Sequence, residues 1–186
     1  MSDSVLLWLA LAVSIFWAMG AYNRLMRLRS QGIAAFTALE SLLRQQALMV
    51  KTHLPQAGDV DGARAASQEH DAFSAAWVAL AAAAEPFNAA LKLAHAKPLD
   101  GKTMETLRTA HEVLCLSWSR LRDLPPDLAG PALPHTLHAQ WEHVALQVDI
   151  ARTEFNRLVA NYNAAITQFP ALLLARVFGF QPAQPI

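Results

Sequence analysis

Apolar residues recur every three or four positions in four separate segments of the chain, and this spacing constrains the fold more than any other feature. In the second segment Phe73, Trp77 and Leu80 begin a 4-3 alternation that continues to Ala94. A repeat of this kind averages 3.5 residues and places apolar side chains on one narrow stripe of an α-helix. Four such stripes predict an all-α chain in which each helix buries one face in a common core.

Proline and glycine residues separate the four segments and set the expected helix boundaries. We expect helices at about 23–54, 59–96, 102–124 and 134–169. Short links between amphipathic helices predict an antiparallel, up-and-down four-helix bundle, here a domain at 23–180. Pro86 lies inside the second helix, and the unbroken spacing around it favours a kink over two shorter helices.

Residues 5–22 contain no charged side chain, and a helix of this length spans about 27 Å, close to the roughly 30 Å hydrocarbon core of a bilayer. A cleaved signal peptide is the alternative interpretation. However, residues 1–4 contain no basic side chain and include Asp3, whereas a signal peptide begins with positive charge. The sequence therefore favours a transmembrane anchor at 1–22 that continues into the first bundle helix.

The net charge of zero, from 15 basic and 15 acidic residues, hides an uneven distribution along the chain. Arg24, Arg27 and Arg29 directly follow the anchor, whereas Asp3 precedes it. Basic residues remain on the cytoplasmic side of a membrane, so we expect the N-terminus outside and the bundle in the cytoplasm. Neutral balance also argues against a nucleic-acid partner, because phosphate contacts need a basic surplus.

The up-and-down topology predicts that the fourth helix ends near the bilayer. Residues 171–180 follow that end and are apolar with one basic side chain, but they are too short to span a membrane. We expect them to pack against the first helix, with the lipid interface as the alternative location. Residues 181–186 are expected to form a flexible C-terminus.

The histidines and the single cysteine form no pattern typical of a metal site or a nucleophile. His138 shares a helix face with His135 and Glu142, but His143 points away from it. Cys115 is expected to be a small buried apolar residue, because a nucleophile needs an assembled base. We therefore expect no catalytic residues, no metal site and no cofactor, and a protein that is not an enzyme.

Two segments have a more specific pattern, one after the anchor and one near the C-terminus. The first reads Y-N-x-L-x-x-L-R, and the second reads A-R-x-x-F-N-x-x-V-x-x-Y-N-x-x-I-x-x-F-P, followed by A-x-x-F-G-F. Both resemble the LemA family of bacterial membrane proteins. The residues that match are Tyr22, Asn23, Leu25, Arg29, Arg152, Asn156, Val159, Tyr162, Asn163, Ile166, Phe169, Pro170, Phe178, Gly179 and Phe180. The first long helix departs from the family pattern, although Glu40 could stand for its acidic residue.

The resemblance implies a single-pass protein of the bacterial inner membrane with a cytoplasmic helical bundle and an unsettled biochemical function. Asn156 and Asn163 lie beside the apolar stripe, where we expect them to fix helix register, with a partner-binding face as the alternative. Two functional classes follow. The first is a membrane-tethered interaction or scaffold module, whose partner is an unknown membrane or envelope protein or a second copy. The alternative is a lipid-remodelling protein that uses the anchor and residues 171–180.

Overall fold

The computed structural model describes residues 2–53, 68–124, 135–169 and 171–186. Its helices are α1 (Ser2–His53), α2 (Gln68–Ala96), α3 (Gly101–Arg122), α4 (His135–Thr167) and α5 (Ala171–Phe178). These described ranges contain no strand, so the predicted all-α class is confirmed. The expected helix boundaries at 54, 59 and 134, together with Pro170, lie outside the described residues.

Helix α1 runs without interruption for 52 residues and lies in two different environments. It is long and apolar enough to cross a membrane, and its most apolar 18-residue window has a mean hydropathy of 2.0 with none of it buried by the rest of the chain. Beyond Tyr22 one face becomes buried, with Phe36, Leu39 and Leu43 at its centre. The same helix is therefore an exposed apolar rod at one end and a bundle helix at the other.

Helices α1 and α4 form one closely packed pair, α2 and α3 form another, and α1 joins the pairs through α2. Aromatic contacts define the interior of this bundle. The ring centroids of Phe36 and Phe155 lie 5.7 Å apart between α1 and α4. Trp118 of α3 stacks on Trp141 of α4 at 4.2 Å. The arrangement is the antiparallel helical bundle that the apolar spacing predicts.

Local residues set where the bundle helices begin and end. Asp100 caps α3 by accepting a hydrogen bond from the main-chain N–H of Thr103 at 3.1 Å, so α3 begins at Gly101. Helix α2 is continuous on both sides of Pro86. Pro86 and Ala82 are both exposed, so the carbonyl that Pro86 leaves without an intrahelical donor lies on the solvent side.

Helix α5 follows a sharp turn at the end of α4 and lies across the end of the bundle near Tyr22, which we call the foot of the bundle. The two helices meet at 97°. The ring of Tyr22 on α1 lies 5.0 Å from that of Phe178 and 6.1 Å from that of Phe180, between centroids. Gly179 then reverses the chain with a φ of +68°, a conformation that costs glycine little. The apolar segment after α4 thus packs against the first helix.

Candidate functional site

Asn156 and Asn163 of α4 hold residues 181–186, which we call the C-terminal segment, by paired hydrogen bonds to its main chain. Asn163 donates from Nδ2 to the carbonyl oxygen of Ala183 at 2.8 Å and accepts at Oδ1 from the Ala183 N–H at 2.9 Å. Asn156 makes the same pair with Ile186, both bonds measuring 2.9 Å. The Tyr162 hydroxyl donates to the carbonyl oxygen of Gln181 at 3.0 Å. Five hydrogen bonds therefore fix a segment without regular secondary structure against α4.

This geometry differs from two expectations drawn from the sequence. The C-terminal segment is not a free end, since Ala183 is 3% exposed and Ile186 packs against the core. Asn156 and Asn163 bind this segment and do not pair with a neighbouring helix. Helical periodicity shows which side chains share a face, but it contains no information about a main-chain partner. The sequence feature that could have indicated an ordered segment is the repeated Gln-Pro-x triplet at 181–186.

A second polar group lies inside the bundle, between α1 and α3. Gln46 is 1% exposed, and its Oε1 accepts a hydrogen bond from Nε2 of His111 at 3.0 Å. The same nitrogen lies 3.5 Å from the Sγ of Cys115, one turn later on α3. The ring of Phe87 on α2 covers His111 at 5.6 Å between centroids. Side chains of α1, α2 and α3 therefore contact this half-buried imidazole.

Burial keeps both members of the His111 and Cys115 pair uncharged. Burial, together with the charge of Arg152, lowers the pKa of His111 to about 4, although Asp149 and Glu112 act in the opposite direction. Burial and the charge of Asp149 raise the pKa of Cys115 to about 11. A reactive cysteine needs a thiolate stabilised by a nearby positive charge. This pair has the opposite character, so its geometry does not make an activated nucleophile.

A buried carboxylate links α1 to the C-terminal end of α2. Glu40 accepts a hydrogen bond from Nε of Arg44 at 2.9 Å, and its second oxygen lies 2.9 Å from Nδ1 of His95. Burial by itself would raise the pKa of Glu40, but the hydrogen bonds from His95 and Arg44 outweigh it and hold that pKa below its usual value. The carboxylate thus stays charged and joins α1 to α2.

An apolar groove of about 480 Å³ lies where the exposed part of α1 meets the α4–α5 corner. Phe16, Trp17 and Gly20 line it from α1, and Ala165 and Phe169 line it from α4 and the chain that follows. Its apolar lining is continuous with the exposed apolar surface of α1.

A family model described as the LemA family matches residues 63–185, about two thirds of the chain. This chain belongs to the LemA family. The LemA match includes Asn156, Asn163 and nearly the whole C-terminal segment, whereas the Y-N-x-L-x-x-L-R pattern lies before it. No curated protein and no solved structure matches the chain at a significant level.

Apart from Asn156 and Asn163, the described residues that resemble the LemA pattern lie in three settings. Leu25, Val159, Tyr162 and Ile166 are core side chains. Tyr22 on α1 contacts Phe178 at the end of α5 and Phe180 just after it, and Gly179 makes the turn between these two phenylalanines. Arg152 lies apart from both groups and pairs with Asp149 at 2.9 Å, while Asn23, Arg29 and Phe169 are exposed. Several of these residues therefore hold the part of the chain that follows α4.

The three histidines near the start of α4 do not converge in this LemA protein. Nε2 of His143 lies 3.1 Å from the side-chain nitrogen of Gln147, and His135 is exposed. Within the described ranges, no group of three or more His, Cys, Asp or Glu side chains could hold a metal ion.

Proposed function

We propose that this LemA protein is a membrane-tethered interaction module of the bacterial cell envelope and performs no catalysis. Residues 5–22 would cross the inner membrane once, with the N-terminus outside and the bundle in the cytoplasm. One observation carries the proposal: α1 exposes large apolar side chains around its first turns, such as Leu7, Phe16 and Met19, and is uninterrupted into the bundle. A bilayer is the environment that would cover such a surface.

Two further observations support this proposal. Arg24, Arg27 and Arg29 are exposed directly after the apolar part of α1, where basic side chains favour the cytoplasmic leaflet. On the outer face of α4, Leu146 and Ile150 are one turn apart and are both more than 60% exposed. We propose this pair as part of the surface that contacts the partner.

The orientation can be tested with single cysteines in a chain that also contains Cys115→Ala. Ser4→Cys should react with a membrane-impermeant maleimide in intact spheroplasts, and Ser30→Cys should react only after lysis. The reverse pattern would contradict the cytoplasmic location of the bundle. Release of the unlabelled protein by alkaline carbonate would contradict the anchor itself.

The interaction role can be tested by crosslinking the intact protein in cells and identifying the products by mass spectrometry. We expect a reproducible partner or a crosslinked second copy, and both should be reduced by Leu146→Ser with Ile150→Ser if this face takes part. Recovery of lipid adducts without any protein partner would move the assignment to the second candidate.

The second candidate is a protein that binds and remodels the lipid surface. It is favoured by α5, which lies at 97° to α4 and therefore crosses the foot of the bundle instead of following its axis. Val177 is 77% exposed there, beside exposed Leu173 and Phe178. An amphipathic helix in this position would insert its apolar face at the lipid interface.

The two candidates differ in which exposed pair they require. Under the second candidate, Leu173→Ser with Val177→Ser should abolish vesicle deformation. Under the first candidate, the same substitutions should leave the crosslinked partners unchanged. Leu146→Ser with Ile150→Ser is the matched pair. It should reduce the crosslinked partners under the first candidate and leave vesicle deformation unchanged under the second. Deformation that survives the α5 substitutions would eliminate the second candidate.

A further inference from the structure

The C-terminal segment repeats the triplet Gln-Pro-x, with Ala183 and Ile186 at the third positions. These two residues, three apart, make the paired hydrogen bonds with the asparagines of α4. Pro182 and Pro185 have no N–H to donate, and the asparagines accept hydrogen bonds only from the residues that follow them, Ala183 and Ile186. The repeat of the segment and the repeat of the hydrogen bonds therefore have the same period.

The spacing of the two asparagines matches an extended proline-rich chain. Asn156 and Asn163 are seven residues apart, which is close to two helical turns, so they share one face of α4 about 10 Å apart. Three residues of a polyproline II chain rise about 9 Å. The distance between the two asparagines is therefore close to the distance between two residues three apart in such a chain, so each asparagine can bind one of them. Together they form a two-step ladder for main-chain recognition.

The ladder binds main-chain atoms, so nothing in its chemistry requires that the bound segment belong to the same polypeptide. The connection between α4 and the segment is α5, an eight-residue helix with several exposed apolar side chains. Exchange of α5 together with the segment between two copies preserves every hydrogen bond and the aromatic contact with Tyr22, and the balance then depends on effective concentration. Anchored copies with the same orientation would hold their ladders and segments at the same height above the bilayer.

We propose that Asn156 and Asn163 form a peptide-binding site for the C-terminal segment of a second copy, so that neighbouring copies exchange these segments at the membrane surface. The proposal rests on the proposed membrane tether and names the partner as the chain itself. The isolated chain binds its own segment, and dense packing in the bilayer favours the exchanged form.

Two full-length variants separate the two halves of the contact. The acceptor has Ala183→Pro with Ile186→Pro, which removes the two N–H donors of its own segment and leaves the ladder intact. The donor has Asn156→Leu with Asn163→Leu, which removes the ladder and leaves its segment intact. The names donor and acceptor refer to the exchanged segment and not to the fluorophores. Each variant is labelled in separate batches with the two fluorophores of an energy-transfer pair, and the pairs are reconstituted in liposomes at equal density and compared.

We expect energy transfer in liposomes that contain both the acceptor variant and the donor variant. Liposomes that contain only one of the two variants should show only background transfer. The association of the mixed pair should be at least about tenfold tighter than that of either matched pair, because only the mixed pair can form all four asparagine hydrogen bonds, whereas the acceptor–acceptor pair keeps only the two to carbonyl oxygens. Combining all four substitutions in the donor is the control, and it should return the signal to background. Equal transfer in every combination would overturn the proposal.

A peptide measurement keeps the test independent of how well the donor folds. The acceptor in liposomes is titrated with labelled Gln-Pro-Ala-Gln-Pro-Ile and with Gln-Ala-Pro-Gln-Ile-Pro, in which both prolines move onto the hydrogen-bonding positions. Binding of the first peptide alone is expected. Failure to bind it, or equal binding of both, would overturn segment exchange while the liposome-bound protein still supports the tether. Loss of the protein from the liposomes would overturn both proposals.

Discussion

A side-chain amide has the same donor and acceptor pair as a peptide group, and Asn163 uses this likeness to hold main-chain atoms of Ala183. Ala183 is buried, so its N–H and carbonyl could not turn to water if the asparagine were removed. At this position one side chain satisfies both main-chain groups of a buried residue. The apolar contacts of Ala183 and Ile186 with the core act together with these hydrogen bonds to hold the last part of the chain.

Replacement of Asn163 by Leu should release the C-terminal segment, at a cost of about 1–3 kcal/mol for the buried groups left unpaired. Hydrogen exchange at the amides of Ala183 and Ile186 measures the release directly. Asn161→Leu is the matched control, because Asn161 is exposed on the same helix. Unchanged protection in the Asn163 variant would show that the hydrogen bonds are not what holds the segment.

The stability of the bundle should fall as the pH is lowered from 6.5 toward 4, because of His111. The pKa of this group is lowered to about 4 in the folded chain from an ordinary 6.5. Between those values the unfolded chain binds a proton that the folded chain does not, so unfolding becomes easier by about 3 kcal/mol at the acid end. Glu40, whose pKa is also lowered, adds a loss in the same direction below pH 4.5.

Denaturant unfolding of the detergent-solubilised protein at pH 7 and pH 4.5 measures this effect. His111→Gln should remove most of the decrease between the two pH values, whereas His135→Gln, at an exposed position, should leave it. An equal decrease in all three proteins would assign the pH dependence to groups other than His111.

At the scale of single elements, α1 and α5 show how one sequence property has different consequences in different places. Both are apolar, but α1 is long enough to cross a bilayer and α5 is a two-turn helix held by its contact with Tyr22. The connection from α5 to the C-terminal segment depends on the positive φ of Gly179. That turn therefore links the aromatic contact at the foot of the bundle to the asparagine ladder.

Gly179→Ala should cost about 1–2 kcal/mol, since a β-carbon is strained in the left-handed region. We expect faster hydrogen exchange in the C-terminal segment and faster tryptic cleavage after the exposed Arg176. Gly20→Ala is the control for the same chemical change, because no described atom lies within 4 Å of a β-carbon placed there. Identical behaviour of the two variants would show that the turn tolerates a side chain.

At the scale of the whole molecule, the chain has two parts with different surfaces. The first part of α1 exposes large apolar side chains from Val5 to Met19, whereas the bundle buries most of its apolar side chains in a core. The interaction module needs only α1 to remain at the membrane. A lipid-remodelling protein also needs α5 to bind lipid. The two candidate functions therefore differ in what the chain does without its first 22 residues.

A fragment of residues 23–186 should remain helical and should stay at the bottom of the gradient when mixed with liposomes and centrifuged for flotation. The reason is that its remaining apolar surface at α5 is small compared with a membrane span. Circular dichroism checks that the fragment is folded before flotation. A folded fragment that floats with anionic liposomes would favour the lipid-remodelling candidate.

The sequence by itself determined the helices and the membrane-length apolar segment, because both depend on spacing and composition along a continuous stretch of chain. It also contained the polar residues of the LemA pattern, but not what they contact. Only the tertiary structure decided that α1 pairs with α4 and α2 with α3, and that Asn156 and Asn163 hold Ile186 and Ala183. Side-chain recognition of main-chain atoms places few demands on the sequence of the partner, so it becomes visible only when the chain has folded back on itself.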